Sequence, residues 1–559
     1  MRSLANLDVL VVDCQATGAS PTFGHVLELG WGVVRPDAPE RFGAEAHWIK
    51  LPEGHRVPVQ VQKLTGYDPS AEREDIADHE AWQRLRAAVA LPGGVPTAIH
   101  FARFELGFLR EWSARFEPEA PFPLDAVCVH AIASRLFPEL PRQSLRALAG
   151  YLGHSLHLSR RSLGHVEATA FVWRRLCAEL ATRGIESWEQ LQAWLTERAP
   201  PKPRSKRPKY PIDSARYRTL PDKPGVYRFL RSNGDVVYVG KARSLKKRTT
   251  SHFTGKAGAF TAPEMLTQVS DIAVTLVDSA LEAALLENDT IKALKPPYNV
   301  QLVGSDQPAW YSNRDFDRAL SMADEHHLIG PVPSEYSLRP LSALIALVSD
   351  SPSTPLLRAQ AVGVSALMPP DEGVFSAGWA ELQARHAVDL KMSSKSPRRK
   401  ALRFAKQLLQ SPVFSKTEEE LDQAVESSPR TWDPLRVARH MESAMAQAYR
   451  AYRRTRWLRL IHDSDVVFRE PDGDVVRLLE VRGGEIVSAK GVESGYSPGS
   501  RSRPGSESMC DFDRTRYDRL RILTTELKRI VRDGGEVAVY WRGNRRVPPR
   551  WLAGVLEAV

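Results

Sequence analysis

The segment PGVYRFLRSNGDVVYVGKARSLKKRTTSHF, residues 224–253, decides the fold of the central part of this 559-residue chain. Two short apolar runs flank the letters SNG, where Gly234 supplies the positive φ that a tight hairpin turn requires. The basic stretch after the second run predicts the start of a helix. Further along, LEAALLENDTIKALKPPYNVQL, residues 281–302, places apolar residues at helical spacing and ends that helix at Pro296 and Pro297. The pattern predicts a small α/β unit.

Residues suited to phosphodiester hydrolysis recur through both segments. The reaction needs an activated water, a Lewis acid at the phosphate and positive charge where negative charge develops. Tyrosines stand on both predicted strands, and a phenol with a pKa of about 10 can act as a base only if nearby cations depress that pKa. The later helix carries one well-placed carboxylate, and a single carboxylate suits Mg²⁺, which keeps several waters and takes substrate phosphate as another ligand.

The two segments together resemble the GIY-YIG nuclease family, specifically the N-terminal nuclease of UvrC-type excision-repair proteins. The resemblance implies a metal-dependent DNA endonuclease with one Mg²⁺ or Mn²⁺ ion held by Glu287. Two tyrosines would position or deprotonate the water, two cations would supply the positive field, and an amide would orient the site; these are Tyr227, Tyr238, Lys241, Arg248 and Asn299. Candidate phosphate contacts are Arg243, Lys246 and Lys247.

Taken singly, these residues have ordinary structural interpretations. A tyrosine on a strand is more often a packing residue than a catalyst, and a basic stretch such as KARSLKKR is more often a solvated helix face. The family positions are all filled at family spacing, and this joint pattern favours the nuclease, provided that a strand–hairpin–helix context is found.

Residues 8–180 resemble the DEDDh 3′→5′ exonucleases. The resemblance rests on the letters VVDCQATG, HVLELGWGVV, VPVQVQKLTGY, IHFARFELGFL and SRRSLGHVEATA. It implies an RNase H-like fold, in which helices flank a mixed sheet, and a chemistry of two metal ions held by four acidic side chains with a histidine base.

This sequence departs from that pattern at most of the site positions. Asp13 is kept, but Gln15 replaces a glutamate, Glu105 replaces an aspartate, and Arg160 and His165 stand where the family has His and Asp. Two carboxylates cannot readily offset two divalent cations, so the sequence predicts a degenerate pocket without exonuclease activity. One alternative stays open, in which Asp13, Glu105 and His165 form a single-metal site.

The charge of the chain is unevenly distributed. Residues 1–200 hold 21 Lys+Arg and 24 Asp+Glu, whereas residues 201–305 hold 18 and 9. A basic excess focused on one segment indicates a polyanionic partner, nucleic acid first, because cations that contact phosphates release counterions. The overall net charge is +10, and no apolar run is long enough to span a membrane, so the composition excludes an integral membrane protein.

The predicted fold class is multidomain α/β and α+β. The predicted parts are an exonuclease-like domain at 1–185, a helix end and basic Pro-rich linker at 186–212, and the GIY-YIG domain at 213–303. A mostly helical region at 304–430 follows, and then a long helix, a β-meander and a terminal helix and strand at 431–559, both of unknown role.

The predicted function is therefore a single incision in excision-type DNA repair, like that of UvrC or its Cho-type relatives. Damaged or structured duplex DNA would be the substrate, UvrA/UvrB-type proteins possible loaders, and the cytoplasm, on the nucleoid, the location. Two alternatives remain at this point: a non-catalytic scaffold whose exonuclease-like domain docks a replication or repair partner, and a 3′→5′ exonuclease working through the N-terminal domain.

Overall fold

The computed structural model describes residues 2–88, 95–155, 160–199, 209–254, 263–299, 308–364, 369–387, 396–409, 431–471, 473–499, 513–541 and 545–547. The predicted basic linker falls largely at 200–208, outside the described residues. The chain divides into two compact units, Met1–Asp278 with Leu294–Val300, and Ser279–Ala293 with Gln301–Val559. Across the described ranges, no helix has both the length and the apolar composition that a membrane span requires.

The first unit opens with the mixed sheet that the sequence predicted. Its strands are β1 (Val9–Ala16), β2 (Val26–Val34), β3 (Gly43–Trp48), β4 (Val95–Ile99) and β5 (Leu124–Cys128). The order is β3-β2-β1-β4-β5, with β1 antiparallel to β2 and parallel to β4. Strand β1 is central and buried on both faces, which explains why VLVVDCQA reads as a continuous apolar run.

Helices cover both faces of this sheet. They are α1 (Val59–Thr65), α2 (Asp78–Ala87), α3 (Ala102–Phe116), α4 (Val129–Leu136), α5 (Leu145–Tyr151), α6 (Ser162–Ala181) and α7 (Trp188–Thr196). Helix α7 begins with a capping box between Ser187 and Gln190, and its Trp188 and Leu191 belong to the same core as α6. The packing of the N-terminal domain therefore continues past residue 185, while its boundary remains a prediction.

A second, smaller sheet follows in the same unit. Its elements are α8 (Ser214–Arg218), β6 (Gly225–Leu230), β7 (Val236–Ala242), α9 (Leu245–Phe253), α10 (Pro263–Leu266) and β8 (Asp271–Leu276). The strand order is β7-β6-β8, and both pairings are antiparallel. Gly234 adopts a φ of 90° in the β6–β7 turn, so the predicted hairpin and its glycine are both present.

The second unit begins with α11 (Ala280–Leu294), whose Leu281 and Leu285 pack into a core with residues from the C-terminal part of the chain. The remaining elements are β9 (Trp310–Ser312), β10 (Ala319–Leu320), β11 (Ile329–Val332), α12 (Arg339–Val348), α13 (Pro355–Val362), α14 (Glu372–Arg385), α15 (Pro397–Leu408), α16 (Pro434–Ile461), β12 (Ser464–Arg469), β13 (Val476–Arg482), β14 (Glu485–Val492), α17 (Arg514–Arg532), β15 (Glu536–Trp541) and β16 (Arg545–Arg546).

The region predicted as mostly helical contains a three-stranded sheet, β10-β9-β11, before its helices. These strands are only two to four residues long, too short for an alternating pattern to show in the sequence. The predicted meander forms as β12, β13 and β14 and is extended by β15 and β16. Asp433 caps α16 and Pro434 is its first residue, as the sequence indicates.

Candidate nuclease sites

The first candidate site is built around a buried tyrosine on β6. The Tyr227 hydroxyl lies 2.7 Å from Nε2 of His252, which α9 presents from its last turn. Gly240 on β7 is the cross-strand partner of Tyr227, and a Cβ there would lie 2.4 Å from the Tyr227 hydroxyl oxygen. Glycine at this position therefore makes room for the phenol between the strands.

His252 is a site residue that the sequence reasoning missed. Burial, and after it the charge of Arg248, lowers the pKa of His252 to about 4. The imidazole is consequently neutral near pH 7 and can accept the phenolic hydrogen of Tyr227. The available signal was spacing, since His252 follows Arg248 by four residues and the two share one face of the helix.

The second tyrosine completes an aromatic cluster. The ring of Tyr238, on β7, lies 6.1 Å from that of Tyr227 and 6.2 Å from that of His252. Tyr238 is half-buried while Tyr227 is fully buried, so solvent reaches Tyr238 more readily.

Asn299 fixes the backbone next to Tyr238. Its Oδ1 accepts from the Val239 amide at 2.9 Å, and its Nδ2 donates to the Val239 carbonyl at 2.9 Å. This two-point contact takes the place of a neighbouring strand for one residue of β7. The Asn299 amide therefore holds the strand that carries Tyr238, and its role in orienting the site stays a prediction.

The predicted cations lie on and beside the start of α9. Lys241 is half-buried at the end of β7, whereas Arg248 and the three candidate phosphate contacts, Arg243, Lys246 and Lys247, are exposed. Ser244 caps α9 by accepting from the Lys247 amide, and Lys247 Nζ lies 3.6 Å from Asp222. The helix dipole adds to the field, because the positive end of α9 is the end that carries these side chains.

Glu287 lies on α11 in the second unit and is half-buried. Ion pairs hold the helix on both sides of it: Glu282 with Arg477, Asp289 with Arg519, and Lys292 with Asp518. Glu287 is thus on a rigid element. Among the described residues, no group of three or more His, Cys, Asp or Glu side chains could hold a metal. A single protein carboxylate fits an ion that takes most of its ligands from water and substrate phosphate, as Mg²⁺ does.

The second candidate site lies on the N-terminal sheet. Asp13 Oδ1 is 3.3 Å from Nδ1 of His165, and Glu105 Oε2 accepts from the Cys14 amide at 3.1 Å. Gln15 donates through its side chain to the carbonyl of Arg160. The fold therefore brings all five predicted residues of the degenerate pocket together.

Electrostatics at this pocket oppose metal binding. Burial, reinforced by the charge of Asp13, raises the pKa of Glu105 well above its usual range and so disfavours the charged form of this carboxyl. Burial lowers the pKa of His165, but the hydrogen bond and charge of Asp13 outweigh it and hold that pKa above its usual value. Asp13 already pairs with His165 and burial disfavours the charged form of Glu105, so these residues do not fit two divalent cations.

Another carboxylate in the pocket escaped the sequence reasoning. Glu28 on β2 is the cross-strand partner of Gln15 and is fully buried. Its oxygens accept from Arg161 Nε at 2.6 Å and from the Ser162 amide at 2.9 Å. Arg161 therefore pairs with a carboxylate of the pocket although its own side chain is 45% exposed, whereas Arg160 contributes its carbonyl and has an exposed side chain.

Comparisons with known proteins agree with the geometry of the smaller sheet. Residues 223–300 match a family model described as a UvrC-like GIY-YIG domain. The UvrABC system protein C of Alkalilimnicola ehrlichii is 42% identical over 129 residues, 22% of this chain and 21% of that protein. A putative bifunctional exonuclease/endonuclease protein of Mycobacterium tuberculosis is 27% identical over 360 residues, 62% of this chain and 53% of that protein.

Two of the solved structures to which this chain is similar are nuclease domains. The GIY-YIG N-terminal endonuclease domain of Thermotoga maritima UvrC, bound to magnesium, is 29% identical, covers 15% of this chain and 92% of its own, and gives a TM-score of 0.14. The nuclease domain of a DEDDh family member bound to rAMP is 14% identical, covers 32% and 94%, and gives a TM-score of 0.27.

The matches cover only part of each relative, so they identify domains of this chain and not the whole protein. This chain matches about a fifth of the length of the UvrABC relative and about half of the bifunctional one. The family match starts just before β6 and runs without a break past Asn299. Residues 223–300 of this chain therefore form a UvrC-like GIY-YIG domain, and an exonuclease-like domain precedes it.

Proposed function

We propose that this protein is a metal-dependent DNA endonuclease that hydrolyses one phosphodiester bond per encounter, in excision-type repair. The observation that carries the proposal is the buried contact of 2.7 Å between the Tyr227 hydroxyl and a neutral His252, behind the cations of α9. A phenol paired with an uncharged base, next to exposed cations, is an arrangement for moving a proton beside a phosphate.

The proposed chemistry assigns the proton of the attacking water to this cluster. Tyr238, the more accessible tyrosine, contacts the water, and the proton leaves to solvent by way of this cluster, in which Tyr227 is hydrogen-bonded to the neutral His252. A P–O bond forms to the water oxygen, and the bond to the leaving sugar oxygen breaks, that oxygen taking a proton from solvent. Arg248 and Lys241 neutralise the charge that develops on the phosphate.

A divalent cation, when bound, polarises a non-bridging phosphate oxygen. Glu287 is the proposed protein ligand for this cation. The support is that the family match covers Glu287 together with both tyrosines, and that magnesium is bound in the T. maritima UvrC domain. Arg243, Lys246 and Lys247 are proposed to contact phosphates of the DNA, since all three are exposed at the positive end of α9.

The test is incision of a lesion-bearing duplex labelled at each end, with Mg²⁺, with and without UvrA and UvrB. Glu287→Gln should lower the incision rate by about a hundredfold or more while DNA binding, read by fluorescence anisotropy, stays within about twofold. Asp289→Asn is the matched control, because it removes a carboxylate from the same helix that already pairs with Arg519. Normal incision by Glu287→Gln would refute the metal assignment, and no incision by the unaltered protein in any arm would refute the function.

A further inference from the structure

The contact between the exonuclease-like domain and the smaller sheet is polar and specific, and it lies inside the first unit. Arg231, at the end of β6, is only 4% exposed. Its guanidinium donates to Gln268 Oε1 at 2.8 and 3.1 Å and to the carbonyl of His154 at 3.0 Å. The tip of the hairpin is also held, since Asn233 Nδ2 donates to the carbonyl of Gly153 at 3.1 Å.

A second set of contacts starts from α5 and reaches the loop that carries Asn299. Ser144, the N-cap of α5, donates to Glu264 Oε2 at 2.8 Å, and Arg146 lies 3.6 Å from Glu264 Oε1. The Tyr298 hydroxyl donates to the same Oε1 at 2.9 Å and receives a hydrogen bond from Gln268. Glu264 and Gln268 therefore join the N-terminal domain to Tyr298.

The network ends on the strand of the candidate site. The Tyr298 amide donates to the carbonyl of Val237 at 3.1 Å, and the Asn299 side chain makes both of its contacts with Val239. These two residues of β7 stand on either side of Tyr238. The loop at 298–299 thus holds the backbone before and after the accessible tyrosine.

Gly150 packs so closely on Gln268 that no side chain fits between them. A Cβ built on this glycine of α5 would lie 1.9 Å from Gln268 Oε1 and 2.5 Å from its Cδ. Gln268 is 2% exposed, and two donors, Arg231 Nε and Nη2, hold its Oε1. A buried polar network of this kind is stiff, because a member that moves leaves its partners unsatisfied in a medium of low dielectric.

We propose that the exonuclease-like domain serves the endonuclease as a positioning element, through the network formed by Ser144, Gly150, Glu264, Gln268 and Tyr298 that sets the place of Tyr238. The proposal rests on the proposed function for its catalytic consequence. In this role the domain needs its fold and its contact with the smaller sheet, but it does not need a set of metal-binding carboxylates.

Gly150→Ala tests the proposal, with Gly107→Ala as the matched control. Both glycines lie on helices of the same domain, and alanine has a higher helix propensity than glycine at either position. At Gly107 the new methyl group would lie 3.7 Å from Pro21, an ordinary contact, whereas at Gly150 it must displace Gln268. Tyr298→Phe is the second variant, and it removes one hydroxyl from the network while keeping the ring.

Two readouts on the full chain separate this proposal from the proposed function. Amide hydrogen exchange of a peptide covering 236–242 should be faster by about tenfold in Gly150→Ala and in Tyr298→Phe than in the unaltered protein, and unchanged in Gly107→Ala. With the end-labelled duplex and Mg²⁺, kcat should fall by about tenfold in the first two variants at an unchanged KM, because a displaced tyrosine impairs chemistry and leaves DNA binding intact.

Unchanged exchange over 236–242 in both variants would overturn the positioning role, whether or not the protein cuts DNA. Faster exchange with a normal kcat would overturn its catalytic consequence. If Gly150→Ala does not fold, Tyr298→Phe decides the same two outcomes. An unaltered protein that does not cut at all would refute the proposed function, while the exchange result would still decide whether the network holds β7.

Discussion

Two clusters of ionisable side chains in the first unit look alike as sequence motifs and differ in their protonation. At the N-terminal sheet, burial raises the pKa of Glu105, and Asp13 pairs with His165. At the smaller sheet, burial leaves His252 neutral against a phenol, with basic side chains exposed nearby. Desolvation opposes a chemistry that needs several charged carboxylates and favours one that moves a proton through neutral groups.

The largest difference between the two clusters should appear in the incision rate when one hydroxyl is removed from each of them. Tyr227→Phe removes the hydrogen bond to His252 and should lower kcat by about a hundredfold or more, the usual contribution of general acid–base catalysis. The measurement is single-turnover incision of the end-labelled duplex with Mg²⁺. Tyr217→Phe is the matched control. Tyr217 is a buried tyrosine on α8, and its ring stacks on Phe253, which follows His252 on α9.

Ser162→Ala makes the corresponding change in the N-terminal pocket, where Ser162 is buried at the start of α6. Incision should stay within about twofold of the unaltered rate, because the amide of residue 162, which donates to Glu28, is kept. A rate for Tyr227→Phe within threefold of that for Tyr217→Phe would remove the functional distinction between the two clusters.

The sequence predicted the secondary structure around both clusters because their signals are local. The hairpin turn at Gly234, the basic start of α9 and the apolar run of β1 each need only neighbouring residues. The family resemblances supplied the other members of both clusters, but not His252 or Glu28. The four-residue spacing from Arg248 places His252 on the same face of the helix without showing its contact with Tyr227, and Glu28 lies beside Gln15 through cross-strand register.

The sequence could not predict the pKa shifts of buried groups or the contacts between segments that are far apart in the chain. The raised pKa of Glu105 follows from complete burial, and burial depends on the whole core around β1 and α3. The contact from α5 to Gln268 joins residues more than a hundred positions apart, and no periodicity encodes it. The strands β9, β10 and β11 were missed for the opposite reason, since they are too short to carry a pattern.

A smaller effect should appear in how the free energy of unfolding depends on pH, through one buried histidine near each cluster. The pKa of His252 is lowered to about 4 in the folded protein, against about 6.5 for a free histidine. The unfolded chain therefore binds more protons between these values, and the free energy of unfolding decreases as pH falls from about 6.5 to 4. His100, in the N-terminal domain, has its pKa lowered to about 3 by burial and then His130, with the same sign.

Replacing each of the two histidines should have different effects on kcat and similar effects on the pH dependence of stability. Incision by the unaltered protein should hold between pH 7 and about pH 5, because His252 is still neutral there. His252→Gln should lower kcat by about tenfold at pH 7, since glutamine cannot take the proton, while His100→Gln should leave kcat unchanged. Both variants should lose less stability than the unaltered protein between pH 6.5 and 4, measured by urea denaturation. A kcat that halves near pH 6.5 in the unaltered protein would contradict the neutral His252.

The smallest effect concerns Glu105, the carboxyl whose pKa burial raises. Glu105→Gln replaces it by an amide of nearly the same shape, and the side-chain oxygen can still accept from the Cys14 amide. The free energy of unfolding should change by less than about 1 kcal/mol, because burial already disfavours the charged carboxylate and the hydrogen bond is kept. Asp13→Asn should cost more, since it removes the charge that holds the pKa of His165 above its usual value. Urea denaturation with and without Mn²⁺ measures both: if Mn²⁺ stabilised the unaltered protein and Glu287→Gln alike but not Glu105→Gln, Glu105 would be a metal ligand and the N-terminal pocket would be a working single-metal site.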